Sequence, residues 1–297
     1  MTLEQLRIFV ATAEREHVTR AAEALGLTQS AVSAAIAALE ARYGVALFNR
    51  VGRSIELSAE GRLFLDEARA VLERAASAER AIVDMSGLKR GGVKVMASQT
   101  IANYWIPQRL ASFRRAFPQI DLELAVGNTA QAAEAVKRGT VDLSFVEGRI
   151  DDPELETTPI GGDRIVVAVA ARHPWAQKRR LSAQDLSAGE WVLRERGSGT
   201  RAEFEATLEA LGVAPDGLDV VLELPSNEAV RAAVENGAGA GAMSELVAAA
   251  GLASGALVRA PVAGPERPFF VLRHRSRYRS RAAQAFQEHC AGPTARG

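Results

Sequence analysis

Apolar residues recur at helical spacing along the start of the chain, a pattern that predicts short amphipathic helices. The first helix covers residues 3–14. The second has Thr19 as its predicted N-cap and ends at Gly26, because a threonine side chain accepts from a free amide and glycine tolerates the left-handed conformation. Thr28 caps the third helix, residues 29–43. Two short helices joined by a tight Gly-Leu turn predict a helix-turn-helix.

The next segment predicts a small β-ribbon followed by one long helix. Residues 45–57 alternate and turn at Gly52, which suits a two-stranded wing, so the first domain ends near Ser58. Residues 59–85 form an unbroken helix of about 40 Å. Apolar positions step by four and three along this helix, as in a coiled-coil seam: Phe64, Ala68, Val71, Ala75, Ala78, Ile82 and Met85. The long seam predicts a homodimer, because the small first domain cannot cover it.

Strand-like and helical segments alternate through the rest of the chain. Residues 88–92 have the glycine content of a hinge, and the helix of residues 59–88 is the predicted dimerisation linker. The alternation then predicts parallel sheets wrapped by helices, and its repetition predicts two lobes within residues 89–297. The first lobe takes in residues 92–163 and 267–290, and the second takes in residues 164–266. A ligand is expected in the crevice between the lobes.

Composition and charge limit the classes of function that this chain can have. The 297 residues carry 36 basic and 36 acidic side chains, and residues 1–90 carry twelve of each, so a role in nucleic-acid binding depends on charge placement alone. The single cysteine, Cys290, has no companions at metal-ligand spacing, and the histidines are scattered. We expect no metal, no cofactor and no catalytic residue.

The start lacks an export signal and no apolar run has membrane-spanning length, so a cytoplasmic location without membrane contact is expected.

The third helix has the chemistry of a helix that reads double-stranded DNA. Between Thr28 and Leu39 it carries no charged residue, so it can enter a major groove without burying an unpaired charge. Gln29 can make paired hydrogen bonds to an adenine edge. The smaller polar side chains suit phosphates or thymine methyl groups, and arginines flank the face. The predicted DNA contacts are Arg20, Thr28, Gln29, Ser30, Ser33, Arg50 and Arg53.

Five polar segments follow predicted strands and would meet at the crevice, where helix N-termini favour an anionic effector. Arg201 would add a positively charged guanidinium that can donate two parallel hydrogen bonds to an anion. Glu147 would repel an anion unless it faces the hinge or pairs with Arg201. The predicted effector contacts are Ser98, Gln99, Thr100, Asn128, Thr129, Glu147, Ser198, Gly199, Thr200, Arg201 and Ser226.

The stretches LEQLRIFVATAE, VTRAAEALGLTQSAVSAAIAALEARYGVALFNR and LSAEGRLFLDEARAVL resemble the LysR-type transcription regulators. The resemblance implies a multidomain fold: an all-α winged helix-turn-helix with a long linker helix, then a two-lobed α/β domain like the periplasmic binding proteins. It implies that the residues named above contact DNA, and that Arg20 and Arg50 contact the DNA backbone. It also implies a tetramer made of two dimers, and RNA polymerase is left open as a partner. His17 departs from the family pattern, and we expect a surface variation of little consequence.

Two further stretches, ASQTIANYWIP and RERGSGTR, resemble the branch of that family that governs sulfur assimilation and carbon fixation. Its effectors are small sulfur oxyanions or phosphorylated and carboxylated metabolites, which implies ligand contacts by Ser98, Thr100, Thr129 and Thr200. Two alternatives remain. A two-lobed metabolic enzyme lacks an acid–base or nucleophile set here and leaves residues 1–90 unexplained. A solute-binding protein would share the fold of the second domain only.

Overall fold

The computed structural model describes residues 1–51, 54–85, 91–148, 150–262 and 264–291. The chain divides into two compact units, Met1–Val83 and Asp84–Gly297. The predicted domain boundaries at residues 58 and 88 differ from this division, because the long helix begins by packing into the core of the first unit through Phe64, Leu65, Ala68 and Leu72.

Three helices begin the first unit, and they pack through one apolar cluster. They are α1 (Leu3–Arg15), α2 (Val18–Leu25) and α3 (Gln29–Tyr43). Ile8, Ala22, Val32 and Ile36 are buried where the helices meet, and α2 and α3 lie at 108° to each other. This is the predicted helix-turn-helix. The predicted N-cap Thr19 is wrong: His17 caps α2, its Nδ1 accepting from the Arg20 amide at 3.4 Å. His17 therefore does more than vary the surface.

A hairpin and a long helix complete the unit. Strands β1 (Phe48–Val51) and β2 (Ser54–Leu57) pair antiparallel, and α4 (Ala59–Met85) follows. The Glu40 carboxylate accepts from the amides of Leu47 and Phe48 at 2.7 and 3.1 Å, which fixes the chain between α3 and β1. The predicted turn at Gly52 lies outside the described residues.

Only part of the predicted seam of α4 is free. Phe64 and Ala68 pack into the core of their own unit around Phe9, together with Leu65 and Leu72. The seam prediction is wrong for these residues, since the predicted domain end at Ser58 hid that the first turns of α4 belong to the same core. Among the side chains of α4 that the structure describes, the large apolar ones that stay exposed are Leu63, Val71 and Ile82.

The first lobe of the second unit is a sheet with helices on both faces. Strands β3, β4 and β5 are parallel, whereas β11 runs antiparallel to β5. Its core includes Val95, Phe113, Phe145 and Phe286. The elements are β3 (Gly91–Ser98), a π-helical turn (Ile101–Trp105), α5 (Ile106–Ala116), β4 (Ile120–Gly127), α6 (Thr129–Arg138), β5 (Leu143–Glu147), β11 (Glu266–His274) and α11 (Arg281–Ala291).

The second lobe repeats the plan around Trp191, which is fully buried. Strands β7, β8 and β9 are parallel, and β6 and β10 complete the sheet antiparallel to them or to each other. The elements are β6 (Leu155–Ala170), α7 (Ala183–Ser187), β7 (Glu190–Arg194), α8 (Gly199–Ala210), β8 (Asp219–Leu224), α9 (Asn227–Glu235), β9 (Ala240–Ser244), α10 (Glu245–Ser254) and β10 (Leu257–Arg259), with 3-10 turns at Pro174–Gln177 and Pro215–Gly217.

Two crossing strands join the lobes. The first half of β6 pairs with β11, from Leu155 opposite His274 to Arg164 opposite Glu266. From Ile165 onward β6 pairs with β9 in the second lobe. The two-lobed α/β fold is confirmed, but the sheets are mixed rather than parallel, because the crossing strands run against the βαβ strands.

Two further predictions can be compared with these elements. Of the predicted hinge at residues 88–92, Gly91 and Gly92 lie in β3, and the other positions lie outside the described residues. No single helix within the described residues is long and apolar enough to cross a membrane. The bent pair of α2 and α3 reaches that length and composition only when the two are taken together.

Candidate functional site

An exposed, uncharged surface on α3 is the first candidate site. Val32, Ile36 and Leu39 face the core, which turns the opposite side of the helix outward. The Thr28 hydroxyl caps the helix by accepting from the Ala31 amide at 3.2 Å, and it lies 3.0 Å from the Ser30 hydroxyl. The exposed predicted DNA contacts are Thr28, Gln29, Ser30 and Ser33. The structure therefore brings these four polar side chains to the start of one solvent-facing helix.

Of the three arginines predicted to flank this surface, the structure describes the side chain of one, Arg20. Arg20 is exposed on the first turn of α2. Arg50 belongs to strand β1, but its side chain lies outside the described part of the chain, and so does all of Arg53. The backbone-contact roles of Arg20 and Arg50 and the DNA-contact role of Arg53 stay predictions.

The second candidate site is the cleft between the lobes of the second unit. In the first lobe, the parallel strands β3, β4 and β5 end at Ser98, Gly127 and Glu147. In the second lobe, the parallel strands β7 and β8 end at Arg194 and Leu224. Carboxyl ends of parallel strands meet at one edge of a sheet, so the polar segments that follow them converge.

One side of the cleft is closed around Asn227, the first residue of α9. The Gln99 amide donates to the Pro225 carbonyl at 2.6 Å and its oxygen accepts from the Asn227 N–H at 3.0 Å. The Asn227 side chain donates to the Thr100 hydroxyl at 3.1 Å and accepts from Arg194. Asn227, Thr100 and Arg194 are buried, so this contact between the lobes is shielded from water.

The other side of the cleft is closed around the start of α6. The Asn128 amide donates to the Glu195 carboxylate at 3.2 Å, and the Ala130 N–H donates to the Gly197 carbonyl at 3.1 Å. Burial disfavours the charge of Glu195, but hydrogen bonds from Arg194 outweigh burial and hold the pKa of that carboxyl below its ordinary value. A Cβ at Gly199 would lie 2.6 Å from the Thr129 hydroxyl, so only glycine lets α8 approach α6 this closely.

A buried arginine forms the floor of the cleft. Arg267 on β11 donates to both oxygens of Asp163 on β6, at 2.8 and 2.6 Å, and to the Thr200 hydroxyl at 2.9 Å. Its Nη1 lies 4.0 Å from Glu147. Burial opposes the charge, but the carboxylates of Glu147 and Asp163 outweigh it and raise the pKa of Arg267 above its ordinary value. Glu147 thus lies beside Arg267, and its hydrogen-bond and ion-pair partners among the described residues do not include Arg201.

The helix starts around the cleft differ in how they are capped. Asn128 caps α6 and Ser226 caps α9, so these predicted ligand contacts have structural partners. The side chains of Thr100 and Ser198 make no capping hydrogen bond. The Ser98 hydroxyl is buried and has no hydrogen-bond partner among the described residues. Polar groups left open by the protein at the carboxyl ends of the strands are suited to a small oxyanion.

Arg201 is placed differently from the sequence expectation. Its guanidinium donates to Glu205 at 2.7 Å, to the Arg194 carbonyl at 3.0 Å and to Glu223. Burial opposes its charge, but these two carboxylates raise its pKa above the ordinary value. All of these partners lie in the second lobe, so the charge of Arg201 is matched there rather than presented to the cleft.

Sequence reasoning missed the residues that hold the lobes together. Arg267, Asp163 and Asn227 were not among the predicted contacts, although each is buried and polar in the cleft or at its floor. One signal was available: Arg267 is a charged residue directly before the apolar run 268–272 of a strand. In the part of the chain that the structure describes, no group of three or more His, Cys, Asp or Glu side chains could hold a metal ion.

Two family descriptions match this chain, one for each unit. "Bacterial regulatory helix-turn-helix protein, lysR family" matches residues 3–62, and "LysR substrate binding domain" matches residues 86–292.

Curated relatives match along most of their length. The Escherichia coli K12 protein called uncharacterized HTH-type transcriptional regulator YeiE is 35% identical over 98% of this chain and 97% of its own. Bacillus subtilis CysL, an HTH-type transcriptional regulator, is 32% identical over 83% of this chain and 82% of its own. A probable RuBisCO transcriptional regulator of Trichormus variabilis is 32% identical over 97% of this chain and 87% of its own.

Two solved structures are similar in fold. Full-length CbnR in complex with its target DNA has a TM-score of 0.73 at 23% identity and covers 98% of this chain and 99% of its own. The regulatory domain of Synechocystis CcmR in complex with 2-PG has a TM-score of 0.63 at 25% identity and covers 70% of this chain and 99% of its own.

Proposed function

Because this chain belongs to the LysR family of DNA-binding transcription regulators, in the branch of CysL and the RuBisCO regulators, we propose that Gln29 and its neighbours on α3 read its promoter and that a small anion in the cleft controls the response. The observation that carries the first half is the exposed, uncharged start of α3. Such a surface enters a major groove without an unpaired charge, and the exposed Arg20 of α2 suits a phosphate.

The cleft supports the second half of the proposal. Ser98 contributes a buried hydroxyl without a partner, and Thr100 and Ser198 stand at helix starts that no side chain caps. Amide groups at helix starts favour negative charge. The related regulatory domain of CcmR is described with 2-PG, which agrees with a small anionic effector. Regulation of this kind needs no catalytic residue, and we propose that the chain is not an enzyme.

A selection on genomic DNA tests this function. We expect purified full-length protein to enrich specific promoter fragments with a Kd of about 10⁻⁸ M or tighter, at least about 10³-fold below that for random DNA. Gel shifts and thermal shifts with sulfite, sulfate, thiosulfate, acetylated serine, phosphoenolpyruvate and bisphosphorylated sugars then identify the effector. Enrichment of no fragment at low salt would contradict the proposal.

The exposed apolar side of α4 supports the homodimer. Ile82 and Val71 are 69% and 41% exposed, although both are large and apolar, and they lie within about 20° of each other around the helix. Near the start of the helix, a cavity of about 300 Å³ is lined mainly by apolar side chains, including Met1, Tyr43 and Phe64. Apolar surface of this kind is typical of a protein interface, and we propose a second copy of α4 as its partner.

Replacing Ile82 with glutamate tests that interface. We expect Ile82→Glu to weaken dimerisation at least about 100-fold, because an unpaired charge would be buried between two apolar helices. Sedimentation across a concentration series measures the effect. Ser77→Glu is the matched control, since it adds the same charge about 140° around the helix at about 100° per residue. An unchanged dimer in Ile82→Glu would place the interface elsewhere.

A further inference from the structure

Glu147 is a buried carboxylate among the hydroxyl groups of the proposed anion site. It ends β5 in the first lobe and is 3% exposed. Its charged surroundings come from three elements: Arg267 on β11 at 4.0 Å, Asp163 on β6 across that arginine, and Glu203 on α8 near Gly148. Arg267 is shared with Asp163, so the arginine does not neutralise both carboxylates. A fully deprotonated anion beside Glu147 would meet negative charge that Arg267 offsets only in part.

The hydrogen bond of Thr129 shows what this end of the site can offer. Its hydroxyl lies 3.2 Å from the second oxygen of Glu147. A carboxylate only accepts, so the Thr129 proton is directed to Glu147, and Thr129 has only lone pairs left for a ligand. The other oxygen of Glu147, which faces Arg267 at 4.0 Å, makes no hydrogen bond to any described residue. Thr129 and Glu147 therefore present acceptors, not donors.

Thr100 and Thr200 offer hydrogen-bond donors to a ligand, unlike Thr129 and Glu147. Arg194 only donates, so its contact fixes the oxygen of the Asn227 amide toward Arg194 and the NH₂ toward Thr100. Thr100 accepts that hydrogen bond, and Thr200 accepts one from Arg267. The O–H of each threonine is then left to donate, as is the partnerless Ser98 hydroxyl. These residues suit the ionised oxygens of a ligand.

From this division we propose that the cleft selects an oxyanion that itself carries an O–H group, with its ionised oxygens toward Ser98, Thr100 and Thr200 and its hydroxyl donating to Glu147. The inference rests on the proposed anionic effector and deepens it by naming the class. Hydrogen phosphate is the simplest member. Sulfate has the same shape and charge but no proton, so an oxygen of sulfate would face the Glu147 carboxylate with nothing to share. A site built to bond a ligand hydroxyl rejects the analogue that lacks it.

Calorimetric titration of the full chain with hydrogen phosphate and sulfate tests the selection. At about pH 8 phosphate is mainly the dianion HPO₄²⁻, which matches sulfate in charge. We expect phosphate to bind at least about tenfold more tightly than sulfate. In Glu147→Gln the amide NH₂ can donate to a sulfate oxygen, so the ratio should fall to about threefold or less. Glu147→Asp, which keeps the carboxylate, should retain a preference for phosphate.

The control is Glu123→Gln, the same change on the exposed edge strand β4, which should keep the wild-type ratio. Sulfate binding as tightly as phosphate would overturn the selection and leave regulation by anions standing. Failure of both anions to bind at about 10 mM would also overturn it. The promoter selection does not depend on either anion, so it reports separately whether the proposed function holds.

Discussion

Replacing Arg267 with methionine lowers the free energy of unfolding of the C-terminal unit by about 3–5 kcal/mol, because it leaves buried carboxylates without their partner. Asp163 accepts two hydrogen bonds from Arg267 and is 4% exposed at its side chain, and Glu147 faces the same guanidinium. Both carboxylate side chains are buried, at 4% and 3% exposed, so water can replace the lost guanidinium only in small part. Urea denaturation of the full chain, followed by near-ultraviolet circular dichroism, measures the loss.

Arg164→Met is the matched control. Arg164 lies next to Asp163 on β6 and pairs with Glu266 at 3.0 Å, but the two side chains are 47% and 85% exposed. An exposed pair contributes about 1 kcal/mol or less. Equal losses in the two variants would show that the burial of Arg267 does not determine its contribution.

Replacing Gln29 with alanine weakens binding to the selected promoter by about 1–3 kcal/mol, which is about 5- to 150-fold in Kd. Gln29 is exposed at the first position of α3 and makes no hydrogen bond to other described side chains, so the folded protein loses little. The loss is expected at the specific site only, because a base-reading side chain contributes nothing to random DNA. Fluorescence anisotropy with promoter and scrambled duplexes at one salt concentration measures both.

Arg20→Ala provides the contrast. A phosphate contact binds every sequence, so this variant should weaken promoter and scrambled DNA alike and reduce the salt slope by about one. If Gln29→Ala weakened both duplexes equally, Gln29 would be a backbone contact and the reading face of α3 would lie elsewhere.

Local patterns were sufficient for most helices. Thr28 caps α3, which covers the predicted residues 29–43, and α4 covers the predicted residues 59–85. Caps and helical spacing could predict these bounds because they act within a few residues of each other. His17 shows the limit of such signals. Thr19 has the better capping side chain but lies inside α2, whereas His17 directly follows Glu16, the left-handed residue that ends α1, and is the N-cap.

The location of the candidate cleft was predicted more accurately than the residues that make its contacts. The strand ends at Ser98, Glu147 and Arg194 follow from the βαβ alternation, so their convergence could be anticipated. The first half of β6 could not, since residues 155–164 carry threonines, glycines and charges that show no apolar alternation. That strand and β11 bring together Asp163 and Arg267, which are 104 positions apart.

The sequence alone determined the family, the two-unit plan, the uncharged face of α3 and the polar segments after each strand, since these depend on neighbouring residues and on spacing. Only the tertiary structure decided that Arg267 rather than Arg201 lies at the floor of the cleft, which side of α4 stays free, and which hydroxyls keep a proton to donate. These features depend on partners distant in the chain, because an ion pair or hydrogen bond depends on where two side chains meet and not on how each is flanked.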